Sequence, residues 1–288
     1  MSVRKTLVTG AGGFIGRHLL AALSERGEQP LGLSRSSGSL FDPQWVQATL
    51  QSFRPTHLVH LAWTATPGLF WEDPANDSWA AMSEQLVAMA IAAGVTHVVA
   101  MGTSAEYLWD GRPCDEQTTP IHPSSAYGKA KAAFHAAARP LCETAGIPLT
   151  WLRLFFPYGP GEPAEKFLSG MIASAQKTGR IILRDPERRL DLIHIDDVIA
   201  AICRVLDLGY AGALNVAGGR GIKMRDLAAI VAAAMKHRGT VRIVEEVPRM
   251  PAPDVIACVE RLRNLGWEPQ RELIESVTAM TNMFESTQ

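Results

Sequence analysis

The sequence has no apolar run of about eighteen residues, so no membrane-spanning helix is predicted. Its N-terminus enters a strand-like stretch directly, without the basic segment and apolar core of a signal peptide. The four cysteines, Cys114, Cys142, Cys203 and Cys258, lie far apart, and no pair has metal-ligand or redox spacing. Buried reduced thiols in a cytoplasmic protein are the expectation. The eight histidines show no HExxH-like spacing, and no metal is predicted. A formal net charge of -1 argues against nucleic acid or a charged membrane surface as partner. Internal repeats and low-complexity segments are also missing.

What remains is an ordinary globular balance, 47% hydrophobic and 20% charged over 288 residues, enough to bury a large core. Apolar strand-like runs alternate with helix-like stretches. "KTLVTG", "QPLGLSR", "THLVHLAW" and "THVVAMGTS" read as strands, and "LTWLRLFFPYG" as a strand running into a loop. Between them, "FIGRHLLAALSERG" places Ile15, Leu19, Leu20 and Leu23 on one helical face. "DPQWVQATLQSF" reads as a helix capped by Asp42 with Pro43 in its first turn. "SWAAMSEQLVAMAIAAG" reads as a helix closed by Gly94, and "SAYGKAKAAFHAAARPLCETAG" as one bent or broken near Pro140. The alternation predicts an α/β fold, a parallel sheet with helices on both faces. After about residue 157 the texture changes to a Pro- and Gly-rich loop and shorter elements. The expectation is a dinucleotide-binding domain over 1–156 and a smaller, mainly substrate-binding α/β lobe over 157–288, with some segments returning to the first.

Four glycines fall within "LVTGAGGFIG", between the first strand and the first helix. Gly10 permits a tight turn, Gly13 lets a pyrophosphate approach the backbone, and Gly16 lets the helix pack closely on the sheet. The helix start adds free N–H groups and a positive dipole end. Dinucleotide binding follows. At the end of the second strand an acid would read a ribose 2′-hydroxyl, whereas a base suits a 2′-phosphate. Here stand Ser34 and Arg35, which favours NADP over NAD.

"SSAYGKAKAA" holds Tyr127 and Lys131 four apart at a helix start, on one face. A nearby ammonium favours a phenolate, so Lys131 is expected to lower the Tyr127 pKa. Such a tyrosine can exchange the proton of a carbinol while hydride moves to or from nicotinamide. In "MGTSAEY", at a strand's C-terminal end, Thr103 or Ser104 could supply a hydroxyl for the substrate oxygen.

With these stretches, and with "HLVHLAW", "RLFFPYGPGE", "DLIHIDDVIAAI", "ALNVAGG" and "LGWEP" in order along nearly the whole chain, the sequence resembles the extended short-chain dehydrogenase/reductase superfamily. Within it, the chain is similar to the NAD(P)-dependent sugar epimerase/dehydratase family. The resemblance implies a Rossmann-type doubly wound sheet with a substrate lobe. It also implies a homodimer built on two helices per subunit, here those around Trp79 to Ala93 and Tyr127 to Ala138. It makes Tyr127 the acid/base and Lys131 the holder of the nicotinamide ribose. Thr103 becomes the hydroxyl partner, with Ser104 the fallback. It assigns Gly10, Gly13, Phe14, Ile15 and Gly16 to the cofactor loop, Asp42 to the adenine, and Leu61 and Ala62 to the segment alongside the cofactor.

The departures bear on substrate. Family dehydratases carry an acid one or two places after the threonine; here those are Ser104 and Ala105, and Glu106 comes one later. The family's asparagine in "RLFFPYG" is Phe156, and its arginine before "DLIHIDD" is Leu190, with Arg189 adjacent. Trp63, directly after "HLA", offers a ring on which a sugar or base could stack. Glu106 is either a ligand for a sugar hydroxyl or a solvated strand-end acid. Arg180 and Arg189 are phosphate candidates. His194 reads as a buried structural histidine. The resulting expectation is a cytoplasmic nucleotide-sugar (4-)ketoreductase preferring NADP. The alternatives are a 4-epimerase retaining its cofactor, a reductase of a non-nucleotide aldehyde or ketone, and a non-enzymatic dinucleotide sensor.

Overall fold

The computed structural model describes residues 4–64, 66, 68–235, 240–246 and 250–283. In chain order come β1 (Thr6–Thr9), α1 (Phe14–Glu25), β2 (Leu31–Leu33), α2 (Pro43–Phe53), β3 (His57–His60), α3 (Ala75–Ala92), β4 (His97–Thr103), α4 (Ala126–Ala145) and β5 (Leu149–Leu154). A single 3₁₀ turn, Ser104–Glu106, follows β4. Next are β6 (Phe156–Tyr158), α5 (Phe167–Thr178), β7 (Arg180–Leu183), β8 (Arg189–His194), α6 (Ile195–Leu208), β9 (Gly212–Val216), β10 (Gly221–Lys223), α7 (Met224–Ala234), β11 (Arg242–Glu245), α8 (Glu260–Arg263) and α9 (Leu273–Met283).

The chain divides into two units. The first comprises residues 1–108, 116–154 and 199–215. Its sheet has the order β2-β1-β3-β4-β5-β9, and the pairings from β2 to β5 are parallel. Every residue of β1, β4 and β5 is buried, the mark of strands covered on both faces. Leu7, Leu58, Leu86, Val98, Phe134 and Trp151 belong to one core cluster. Because β2 and β3 flank β1 on opposite sides, the strand order reverses at β1. Open α/β sheets bind ligands at the strands' C-terminal ends beside such a reversal.

The helices start where the chain offers caps. Asp42 accepts from the Gln44 and Trp45 amides ahead of α2, and Ser125 Oγ accepts from Gly128 N at the head of α4. One expectation fails in α4, which runs unbroken past Pro140. Pro140 lies on the exposed face, where water can take the carbonyl that proline leaves without a donor.

The second unit comprises residues 109–115, 155–198 and 216–288. It holds a three-stranded sheet, β10-β8-β6, and the parallel pair β11-β7. "LTWLRLFFPYG", expected as a strand running into a loop, holds a second short strand where the loop was expected. Leu149–Leu154 pairs with β4, whereas Phe156–Tyr158 pairs with β8. His194 is buried, with Nδ1 near the Asp196 amide and its ring edge-on to Tyr158, a structural histidine.

Candidate active site

The glycine loop lies at the reversal point, and its backbone leaves no room for side chains. Gly10 has φ +71°, and a Cβ there would meet Ala62 N at 2.8 Å and Leu61 C at 2.9 Å. A Cβ on Gly16 would overlap the Gly10 carbonyl and come within 2.8 Å of Ala11 Cα. Gly13 starts α1 with no side-chain cap and no acid in the first turn. The Phe14 and Ile15 side chains are partly buried in that turn. This is a cradle of bare amides suited to a pyrophosphate, so the residues present fit a dinucleotide. Leu61 and Ala62 are held against it by their amides, which donate to Thr9 Oγ1 at 3.2 and 3.3 Å. Behind them Thr9 Oγ1 bonds His60 Nδ1 (2.7 Å), and His60 Nε2 bonds Ser83 Oγ (2.8 Å).

After β2 the serines of "SRSS" knit a tight turn, with Ser34 Oγ 2.8 Å from Ser36 Oγ and 3.3 Å from Ser37 Oγ. Arg35 projects from that turn, exposed and without an ion-pair partner among the described residues. Asp42, the adenine candidate, has one carboxylate oxygen engaged in capping α2.

Tyr127 and Lys131 sit one turn apart on α4. Gly128 lets this helix press on the turn after β4, since a Cβ there would strike the Ala105 carbonyl. The Thr103 side chain neighbours the Tyr127 hydroxyl closely enough to draw its pKa down, which favours Thr103 over Ser104. Tyr127 N donates to the Trp71 carbonyl at 3.0 Å. Its ring meets Phe70 and Trp71 edge-on, at 5.0 and 5.9 Å between centroids. Lys131, only 3% exposed, donates to the Met101 carbonyl (2.7 Å) and places Nζ 3.8 Å above the Trp63 ring.

The electrostatics correct one expectation. Tyr127 is raised above the ordinary phenol value, chiefly by burial, with the Thr103 side chain opposing and the Glu106 charge adding to the rise. Burial pushes Lys131 down to about 7, against the pull of Glu106. An ammonium that is itself desolvated and turned toward a carbonyl and an indole is not among the causes acting on the phenol. The tyrosine therefore rests as a neutral acid, the form that donates a proton.

Glu106 is neither a sugar ligand nor a solvated acid. It is 0% exposed and turned into the sheet. Oε1 accepts from Thr103 N (2.8 Å), Oε2 accepts from Arg153 Nε (2.8 Å), and Trp151 Nε1 lies 3.0 Å from both oxygens. Arg153 also donates to Tyr107 Oη (3.1 Å), and Tyr107 donates to Asn215 Oδ1 (2.8 Å). Trp63 is likewise diverted from ligand stacking. Its indole N–H donates to Asn76 Oδ1 (2.8 Å), Lys131 covers its ring, and Phe134 stacks at 6.3 Å.

Phe156, Arg180 and Arg189 belong to the second unit. Phe156 is partly buried in β6, Arg180 is exposed at the start of β7, and Arg189 is exposed in β8 with its amide on Asp254 Oδ1. Sequence reasoning missed Arg153, Trp151 and Phe70. Trp151 and Arg153 did leave a signal: two residues apart on a strand, they face the same side. Gly102, inside a fully buried strand, was another. A Cβ there would run into the Trp151 indole and the Glu106 carboxylate.

A parallel sheet with a bare-amide cradle at its reversal point defines the class, a dinucleotide-binding α/β protein. The chain belongs to the NAD dependent epimerase/dehydratase family, whose model matches residues 6–217. It is an NAD(P)-dependent enzyme. Among relatives, it is 26% identical to dTDP-6-deoxy-L-talose 4-dehydrogenase (NAD(P)(+)) of Kitasatospora kifunensis, over 95% of this chain and 93% of that one. It is 27% identical to GDP-6-deoxy-D-mannose reductase of Pseudomonas aeruginosa, over 98% of both. The structure of RMD from Pseudomonas aeruginosa complexed with NADPH shares the fold at a TM-score of 0.85 and 22% identity, covering 99% of this chain and 100% of that one. Four buried or partly buried cysteines form no disulfide, and no helix among the described residues is long and apolar enough to cross a membrane.

Proposed function

We propose that this enzyme is a nucleotide-sugar 4-ketoreductase that prefers NADPH. The observation that carries the reading is the placement of the Thr103 side chain next to Tyr127, one helical turn from Lys131, with Glu106 locked away from them. A dehydratase needs a further acid near the leaving hydroxyl. The acid nearest in sequence is fully engaged by Arg153, Trp151 and the Thr103 amide. What remains is a hydroxyl pair suited to a carbonyl oxygen.

Bound NADPH supplies the hydride. Gly10, Gly13, Phe14, Ile15 and Gly16 hold its pyrophosphate, Leu61 and Ala62 line its path, and Asp42 reads the adenine. Ser34 and Arg35 take the 2′-phosphate. Thr103 donates to the C4 carbonyl oxygen and orients it, and Tyr127, kept neutral by burial, delivers its proton there. Lys131 turns toward the nicotinamide ribose and, when protonated, steadies the phenolate left behind. The residues of the second unit, Phe156, Arg180 and Arg189 among them, form the substrate lobe. The similarity over nearly the full length to a 4-dehydrogenase and a reductase of deoxyhexoses on nucleotides supports the substrate class. The outer faces of α3 and α4, with Ala81, Ala88, Ala133 and Ala136 exposed, suit the close approach of a second copy in a four-helix homodimer. Cysteines without disulfides suit the cytoplasm.

The test is a screen of nucleotide-linked 4-keto-hexoses with NADPH and NADH. Stoichiometric NADPH oxidation is expected, with one 4-hydroxy epimer formed. Tyr127→Phe should lose about 10²- to 10⁴-fold in kcat while NADPH still binds. Interconversion of 4-hydroxy epimers without net oxidation would instead identify an epimerase.

A further inference from the structure

The fold hides a charge pair directly beneath the hydroxyls that carry the proton. Glu106 and Arg153 are 0% and 3% exposed, and their 2.8 Å contact lies on the last residues of β4's turn and β5. Burying such a pair is costly and by itself adds little stability. Its connections are what matter. Glu106 Oε1 accepts the Thr103 amide while Thr103 Oγ1 accepts the Ala105 amide, a reciprocal box that fixes the threonine's backbone next to Tyr127. Trp151 locks the carboxylate from one side, itself stacked on His135 of α4 at 4.4 Å. Arg153 is locked in turn by the Tyr107 hydroxyl and lies 4.7 Å from that ring. Gly102 leaves the space in which indole and carboxylate meet.

We propose that Glu106, held by Arg153 and Trp151, is a positioning residue that fixes where Thr103 stands beside Tyr127 and so sets the rate of proton delivery. This rests on the assignment of Thr103 and Tyr127 as the proton relay. Glu106 touches no substrate; it acts through the threonine. Its charge also bears on the relay, disfavouring the Tyr127 phenolate and favouring the Lys131 ammonium. The titratable and charged groups around the relay are Glu106 after β4, Arg153 on β5, Lys131 on α4 and His60 on β3, whose imidazole feels the Lys131 charge.

The experiment compares Glu106→Gln with the wild-type enzyme. The expected result is a kcat about 10²-fold lower, as a misplaced relay costs, with KM and NADPH affinity changed less than about twofold. The Tyr127 midpoint, isolated in an ultraviolet difference titration by subtracting Tyr127→Phe, should move down, because a nearby negative charge is gone and Arg153 is unbalanced. Trp151→Phe keeps both charges and removes one donor; its kcat should fall about fivefold with the midpoint unmoved. A folded Glu106→Gln with wild-type kcat overturns the proposal, as does a loss spread equally over kcat, KM and cofactor affinity. If Glu106→Gln does not fold, Trp151→Phe decides, and unchanged turnover there overturns it. A wild-type enzyme inactive on every 4-keto-hexose sinks the functional reading instead. The titration still judges the inference: an unmoved Tyr127 midpoint in Glu106→Gln rejects it.

Discussion

Single side chains decide which nicotinamide the site prefers and which acid does what. Arg35 stands exposed on a serine-knit turn, with no ion-pair partner for its guanidinium among the described residues. Charge-assisted bonds to a phosphate are worth more than neutral ones. Arg35→Ala should therefore raise KM for NADPH by about 10- to 100-fold and leave KM for NADH unchanged, as steady-state kinetics with both would show. Tyr127, Lys131 and Thr103 were legible because their spacing along one helix and one strand end reports their place directly. Glu106 was not. A residue just past a strand can turn outward or inward, and the choice rests on partners 45 and 47 positions away, Trp151 and Arg153. The pKa of Tyr127 was misread for a related reason. Sequence shows that a lysine is near, but not that burial acts on both groups more strongly than their mutual attraction.

Among elements, α4 carries the chemistry, and its seat depends on a missing methyl. Gly128 lies over the Ala105 carbonyl and beside Pro123, with no room for a Cβ. Gly128→Ala should lift the helix from the turn after β4, costing about 1–3 kcal/mol of stability and lowering kcat with it. Denaturant titration and turnover of the same preparation check both. The βα alternation was readable because the buried parallel strands are continuous apolar runs and α2 and α4 start at caps the sequence shows, Asp42 and Ser125. Where one strand ended and the next began at Leu154 was not readable. "LTWLRLFFPY" carries no turn signal at that point, and its division reflects which distant strand each half pairs with, β4 or β8. Pro140 misled in the opposite direction, since proline breaks a helix less readily on its exposed face.

Across the whole molecule, burial has left several imidazoles neutral. His60 is pushed down to about 3 by burial and the Lys131 charge, and His97 to about 4 by burial and the neighbouring His57. An unfolded histidine takes its proton near pH 6.5, so from there down to these folded values the unfolded chain binds more protons. Stability is full above about pH 6.5 and falls as pH drops toward 4. Between pH 7 and pH 5 each of these two buried residues should remove about 1–2 kcal/mol, visible as an earlier denaturation midpoint at pH 5. His60→Gln should flatten that dependence. The same burial acts on the amine of Lys131, pushed down to about 7 and lying 3.8 Å above the Trp63 indole. An ammonium quenches the emission of an indole it touches, and a free amine does so far less. The chain thus carries a native fluorescent gauge beside its candidate site, one that brightens when the lysine gives up its proton or swings away to another acceptor.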